Sequence, residues 1–332
     1  MVILQHVGPI SPGVFNGRPI LTGTVAVYVF FALSGFVIAE AVDRFYRGRP
    51  VAFAVNRALR ILPLFLITVA LSGAVHFAFS SSLSDFLDRA PLQIFSLSNL
   101  LANFFSIIPG VEPRYNFVPY SWAIEVEIIF YATLTLLTLN LTRWAWLILG
   151  ISSLICFFVY AATGEPDLFA YIPFFAYGVL CYRSEKRSSI LRISTFLSLL
   201  GCAFVSIELL RGNVGGVIED TTIFAYTGLI MVLLITIPIL SRIKIKSSFE
   251  RTDKVIGDLS YPIYLQQFAI ILAVFALAPR NPGSIGLVYL FSIILAAVLD
   301  RLLEKPLRSV RDAVRGHQLR RARDTENIAA LR

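Results

Sequence analysis

Long apolar runs separated by short polar loops constrain this chain more than any other feature. Ten runs of roughly 15–24 residues follow one another along its 332 residues. A bilayer-spanning helix needs about 20 apolar residues, so the pattern is typical of a protein that crosses a membrane many times. The runs cover residues 25–42, 61–79, 92–109, 121–139, 144–162, 168–182, 193–210, 221–240, 255–278 and 285–303.

Composition excludes the other broad classes. The chain is 57% hydrophobic and only 15% charged, whereas soluble domains average about 25% charged residues. A soluble fold with this composition would expose too much apolar surface to water, and disordered or fibrous chains do not have such runs. The sequence therefore predicts an all-α, polytopic membrane helical bundle.

The first six residues, MVILQH, are apolar but too few to cross a bilayer. We expect the chain to begin inside a first helix whose start is missing. With this truncated helix there are eleven candidate spans, and about ten are predicted to cross once the run 92–109 is excluded.

Basic residues predict the topology, because cytoplasmic loops carry an excess of Lys and Arg. Four basic regions are expected in the cytoplasm: the loops 43–60, 183–192 and 241–254, and the tail from Arg301. If every apolar run crossed, the first two loops would lie on opposite sides. We therefore predict that 92–109, which is broken by Ser and Asn and ends in Pro-Gly, is re-entrant or interfacial. Both termini are then cytoplasmic.

The net charge of +8 is explained by this topology, so no nucleic-acid partner is predicted. The expected membrane domain covers 1–308 and is followed by a basic cytoplasmic tail, 309–332. The chain has three cysteines, all in apolar runs, and three histidines. Neither set has the spacing of metal ligands, so no metal site is predicted.

Glu127 is the clearest candidate functional residue and is predicted to be catalytic together with His6, since an ionisable group inside a span is costly and needs a reason. Tyr131 lies four residues later and shares its helix face. A structural carboxyl group, hydrogen-bonded within the bundle, is the alternative. His6, near the outer end of the first helix, is a candidate general base, although a lone histidine is more often a packing residue.

Arg57 and Arg60 are three residues apart, which places both guanidinium groups on one helix face. Paired arginines suit phosphate groups, and membrane anchoring is the alternative. Ser34, in the run FFALSGF, is better explained by close helix packing than by nucleophilic catalysis. Tyr261 and Tyr264 line a polar cavity or tie helices together.

Taken in order, these motifs resemble the integral-membrane acyltransferase-3 family, which O-acylates polysaccharides and other acceptors in bacteria. The resemblance rests on five features of the sequence: the helix-one histidine, FFALSGF, R-x-x-R-I-x-P, SWAIEVEIIFY with LSYPIYL, and a terminal E-x-P. It extends from His6 to Arg308 and implies about ten helices.

The resemblance also implies roles for individual residues. His6 matches the family's presumed catalytic base, and Glu127 aligns with the acidic residue of the family's tryptophan-containing motif. Arg57 and Arg60 match the R-x-x-R pair, which is implicated in holding acyl-CoA phosphates. The remaining matches are expected in the substrate pocket or in structural positions: Ser34, Trp122, Tyr131, Tyr261 and Tyr264.

The chain departs from the family pattern at three places. An R-x-x-A stretch usually precedes the histidine, and this chain starts too late to contain it. Gln266 and Gln267 stand where the family often has a histidine, so a role proposed for that histidine does not transfer. Ala123 replaces the serine that follows the tryptophan.

The predicted function is that of a bacterial inner-membrane O-acyltransferase. It would move an acyl group, first of all acetyl, from cytoplasmic acyl-CoA to a hydroxyl of a cell-surface or exported saccharide. The arginines are expected at the inner surface, with His6 and Glu127 in the outer half. The alternatives are a transporter or flippase of a saccharide or lipid-linked intermediate, and a non-catalytic membrane partner.

Overall fold

The computed structural model describes most of the chain. The described residues are 1–7, 21–79, 94–137, 150–155, 158–159, 162, 168–184, 189–214, 219–241, 243, 247–278 and 281–316. Within these ranges the regular structure is entirely helical and no strand occurs. The predicted segment 144–162 and the predicted tail 309–332 lie largely outside the described residues.

Eleven α-helices organise the described chain. They are α1 (Val2–Val7), α2 (Thr22–Ala41), α3 (Pro50–Ala78), α4 (Leu97–Phe104), α5 (Ser121–Leu137), α6 (Ile172–Ser184), α7 (Ser189–Val214), α8 (Asp220–Leu240), α9 (Ser247–Leu277), α10 (Pro282–Leu299) and α11 (Lys305–Arg315). A π-helical segment, Val42–Tyr46, extends α2, and a second, Asp300–Glu304, joins α10 to α11.

Six helices in the described part of the chain are long and apolar enough to cross a membrane. They correspond to α2, α3, α7, α8, α9 and the continuous α10–α11 helix, and large apolar side chains such as Phe77 and Val232 are exposed on their surfaces. The protein is therefore a multi-pass helical membrane protein. The count of about ten spans stays a prediction, since α5 and α6 have only 17 and 13 residues.

The segment predicted not to cross contains one short helix. Helix α4 has eight residues, which corresponds to about 12 Å against a hydrocarbon core of about 30 Å. Its buried amides, Asn99 and Asn103, bind the following loop through the backbone of Tyr115 and Phe117. Residues 97–104 therefore anchor a loop and do not form a span.

Helices α2 and α6 pack in direct backbone contact, as the SGF run predicts. A Cβ atom at Gly35 would overlap the carbonyl group of Phe175, and one at Gly178 would overlap the carbonyl group of Ala32. Only glycine permits this approach. The α2–α6 contact forms the centre of the bundle, and the aromatic rings of Phe31 and Phe175 stack across it.

Candidate functional site

A polar cavity of about 300 Å³ opens at one end of the bundle, between α3, α9 and α11. We call it the basic cavity, because six of its lining side chains are cationic and three are carboxylates. The cations are Arg57, Arg60, Lys254, Arg308, Arg311 and Arg315, and the carboxylates are Asp258, Glu304 and Asp312. Asn56, Gly257, Tyr261 and Pro262 complete the lining.

Three of the six cations are paired within the cavity wall. Arg308 contacts Asp258 at 2.7 Å. Arg311 contacts Glu304 at 3.1 Å, and Arg315 contacts Asp312 at 3.6 Å. The carboxylates of the wall are thus all matched.

Among the described residues, no ion pair within 4.0 Å is formed by the other three cations, Arg57, Arg60 and Lys254. The cavity therefore presents three positive charges to any ligand that enters it. Guanidinium and ammonium groups in this arrangement suit phosphate oxygens.

The two arginines of the R-x-x-R pair both line this cavity, as their spacing predicts. Arg57 is only 5% exposed, and its guanidinium lies over the rings of Phe53 and Tyr131 at 5.4 and 5.6 Å. Its Nε has no hydrogen-bond partner. Arg60, one turn later, stays accessible because it faces the cavity lumen.

Glu127 lies beside these arginines, although the sequence predicted the arginines at the inner surface and Glu127 in the outer half. Its buried carboxylate accepts the hydroxyl of Tyr131 and interacts with Arg57, Arg60 and Ser34. The reason is the length of α3, which begins at Pro50 and not near residue 61. Arg57 therefore lies seven residues, about 10 Å, inside the helix.

A second cavity, of about 210 Å³, adjoins this cluster between α1, α2, α5 and α9. We call it the apolar cavity, because Glu127 is the one acidic side chain in a wall of mostly aliphatic and aromatic residues. Its lining residues are Val2, Ala26, Val27, Phe30, Ala123, Ile124, Glu127, Ser260, Tyr261 and Tyr264. Tyr261 lines both cavities, so the basic and the apolar cavity share one wall residue.

His6 lies beyond Tyr264, against the loop that precedes α5. Its imidazole stacks face to face on the ring of Tyr120, with centroids 3.7 Å apart and an interplanar angle of 9°. The side chain of Gln267 also faces it. The hydroxyl of Tyr264 donates to the carbonyl oxygen of Tyr120 at 3.2 Å, which connects this group to the apolar cavity.

Helix α9 links these sites in sequence order. Tyr261 borders both cavities, Tyr264 lines the apolar cavity, and Gln267 reaches His6. The rise from Tyr261 to Gln267 is about 9 Å. One stretch of α9 therefore borders the basic cavity and also reaches His6.

Trp122 is placed differently from the other candidates. Its indole packs against the rings of Phe31 and Tyr171, at centroid distances of 6.2 and 5.1 Å. It belongs to the aromatic core and lines neither cavity. Ser34, by contrast, contributes its hydroxyl to the surroundings of Glu127.

Several residues around His6 and in the basic cavity were not predicted from the sequence. Tyr120 and Gln267 contact His6, and Lys254 and Arg311 line the basic cavity. The available signal was the LSYPIYLQQ run, which places polar groups at successive turns of one helix. No group of three or more potential metal ligands is found in the described ranges.

The fold and its buried charged cluster define a multi-pass membrane protein with a basic cavity open at one end. Residues 1–301 match the family model described as an acyltransferase domain, that of the acyltransferase-3 family. The chain belongs to this family, as the ordered motifs predicted, and is a membrane acyltransferase. No curated protein and no solved structure matches it.

Proposed function

We propose that the protein transfers an acyl group, acetyl first of all, from acyl-CoA to a hydroxyl of a cell-surface or exported saccharide. The observation that supports this most is the pair of neighbouring cavities that share Tyr261 as a lining residue. One has the charge that a nucleotide with phosphate groups needs, and the other has the apolar wall that an acyl thioester needs. The two suit the two ends of one donor molecule.

In the proposed orientation, the basic cavity opens to the cytoplasm of a bacterial inner membrane. The basic loops and both termini lie on that side, which is where coenzyme A is found. Arg57, Arg60 and Lys254 bind the phosphates of the donor. The pantetheine arm passes Tyr261 and brings the thioester into the apolar cavity, towards Tyr264.

The proposed chemistry is a direct transfer with His6 as general base. The imidazole takes the proton of the acceptor hydroxyl, and the oxygen attacks the thioester carbonyl carbon. The carbon–sulfur bond breaks, and the proton passes from His6 to the leaving thiolate. The products are the O-acylated acceptor and free coenzyme A, so atoms and charges balance.

Glu127 has a structural role in this proposal, in contrast to the general base His6. Its carboxylate lies in the wall of the apolar cavity and accepts from Tyr131, close to both arginines. It therefore holds the guanidinium groups and the cavity wall in place where the thioester enters. His6 has its own neighbours, Tyr120 and Gln267, and does not depend on Glu127 for its orientation.

The test is mass spectrometry of surface glycans from cells with and without the gene. The proposal predicts an added acyl mass that depends on the gene and disappears in His6→Ala at normal protein abundance. Unchanged glycans in all strains, with saccharide export dependent on the gene, would overturn it in favour of a transporter. Arg44→Ala is the matched control, because Arg44 is exposed and paired with Glu40.

A further inference from the structure

The stack between His6 and Tyr120 is held by a rigid loop. The backbone N–H of Phe117 donates to the side chain of Asn103 at 2.6 Å, and the carbonyl oxygen of Phe117 accepts from Ser72 at 2.5 Å. The carbonyl oxygen of Tyr120 accepts from Tyr264 on α9. The backbone at Tyr120 is thus held from two directions, while the ring itself contacts His6, Tyr264 and Phe268.

The amide of Gln267 has a defined orientation. Its Nε2 donates to the carbonyl oxygen of Tyr264 at 3.0 Å. Its Oε1 is buried and has no hydrogen-bond partner, although the residue is completely inaccessible. One of the two N–H groups of Nε2 is used in this bond, and Oε1 is the atom of the amide that has no partner beside the imidazole.

A buried acceptor without a hydrogen-bond donor is destabilising, so the position of Oε1 beside the imidazole needs a functional explanation. A neutral imidazole has one N–H donor and one basic nitrogen, and an acceptor placed beside it selects which nitrogen carries the proton. Nδ1 of His6 is also buried without a partner. The Oε1 of Gln267 and the imidazole of His6 therefore complement each other.

We propose that Gln267 and Tyr120 are positioning residues for His6, Gln267 by selecting its tautomer through Oε1 and Tyr120 by fixing its ring plane. This rests on the proposed function of His6 as general base.

The test measures release of coenzyme A from acetyl-CoA by membrane vesicles that contain the full chain and the host's surface glycans. Gln267→Leu is expected to lower turnover about 10- to 100-fold with unchanged KM for acetyl-CoA. Gln267→Glu keeps an acceptor oxygen and recovers most of the turnover. Its carboxylate also shifts the acidic limb of the pH–rate profile to higher pH, because it stabilises the imidazolium.

A shift in the pH–rate profile can be assigned to His6, because few ionisable groups surround it. In the described chain its titratable neighbours are the phenols of Tyr120 and Tyr264, and no carboxylate acts on it. Tyr120→Phe keeps the stack and is expected to retain wild-type turnover, whereas Tyr120→Leu loses turnover with KM unchanged. Equal losses in the two Tyr120 variants would overturn the stacking role.

A matched control and a double variant separate this inference from the proposed function. Gln266 is equally buried but donates to the carbonyl oxygen of Ser292, so Gln266→Leu is expected to affect abundance and not turnover per folded molecule. In a His6→Ala background, Gln267→Leu is expected to cause no further loss. Wild-type turnover in His6→Ala would contradict the proposed function. Loss in His6→Ala with wild-type turnover in Gln267→Leu would overturn only the positioning role.

Discussion

Arg60→Ala is the sharpest perturbation of the proposed donor site. Arg60 faces the lumen of the basic cavity and forms no ion pair among the described residues. Arg60 also interacts with the buried carboxyl group of Glu127. Binding is therefore compared at equal amounts of folded protein, so that the loss reports on the ligand and not on stability.

The magnitude follows from the charge of the cavity. A hydrogen bond to a charged group contributes about 1.5–3 kcal/mol, and each 1.4 kcal/mol is a tenfold change in affinity. Arg60→Ala is thus expected to weaken acetyl-CoA binding by roughly 10- to 150-fold. Arg60→Lys keeps the charge but loses the planar fork, and an intermediate loss is expected.

The assay is equilibrium binding of acetyl-CoA to the purified protein in lipid nanodiscs. Arg44→Ala is the control, because this arginine is 65% exposed and pairs with Glu40 outside the cavity. Its binding constant is expected to stay within about twofold of wild type, since surface pairs contribute little. Equal affinity in wild type and Arg60→Ala would refute the assignment of the basic cavity to the donor.

Three further substitutions test the packing and the site. Gly35→Leu is expected to abolish accumulation of folded protein, because its Cβ would overlap the carbonyl of Phe175; Gly228→Ala, with open space around it, is the control for expression. Asn103→Ala leaves buried backbone groups without a hydrogen-bond partner. It is expected to lower the free energy of unfolding by about 1–3 kcal/mol for each such group, measured as a lower thermal midpoint. Glu127→Gln is expected to lower acyl transfer strongly at normal abundance, measured as ester content of surface glycans.

Much of the architecture was predictable from the sequence, because apolar length and charge act locally. The broken composition of 92–109 predicted that it does not cross, and α4 is indeed only eight residues long. The i,i+3 spacing predicted that Arg57 and Arg60 share a face, and both line the basic cavity. The glycine of the SGF run predicted the close approach of α2 and α6.

The depth of the charged groups was not predictable from hydropathy. The polar stretch before residue 61 suggested a loop, whereas Pro50 opens a helix that carries the arginines inward to Glu127. The ion pairs of α11 depend on a π-helical segment, Asp300–Glu304, which turns its carboxylates towards Arg308 and Arg311. A local change of helix type has no signature in apolar periodicity.

The residues that contact His6 were also not predictable from the sequence. Tyr120 follows a loop anchored by Asn99 and Asn103, and Gln267 comes from a helix that is distant in the sequence. Such contacts depend on tertiary packing between segments more than 100 residues apart. The sequence showed polar residues in apolar runs, and the structure shows which of them meet.

Transfer of a labelled acetyl group from acetyl-CoA to glycan is the direct test of acyl transfer by this protein. Membrane vesicles containing the full chain receive acetyl-CoA labelled in the acetyl group on the side of the basic cavity. We expect an alkali-labile labelled ester on glycan exposed at the opposite face of the membrane, together with release of coenzyme A. We also expect loss of this product in both His6→Ala and Arg57→Ala/Arg60→Ala. Two results would contradict acyl transfer by this site. One is glycan that stays unlabelled in wild-type vesicles while acetyl-CoA is bound, and the other is equal labelling in all three proteins.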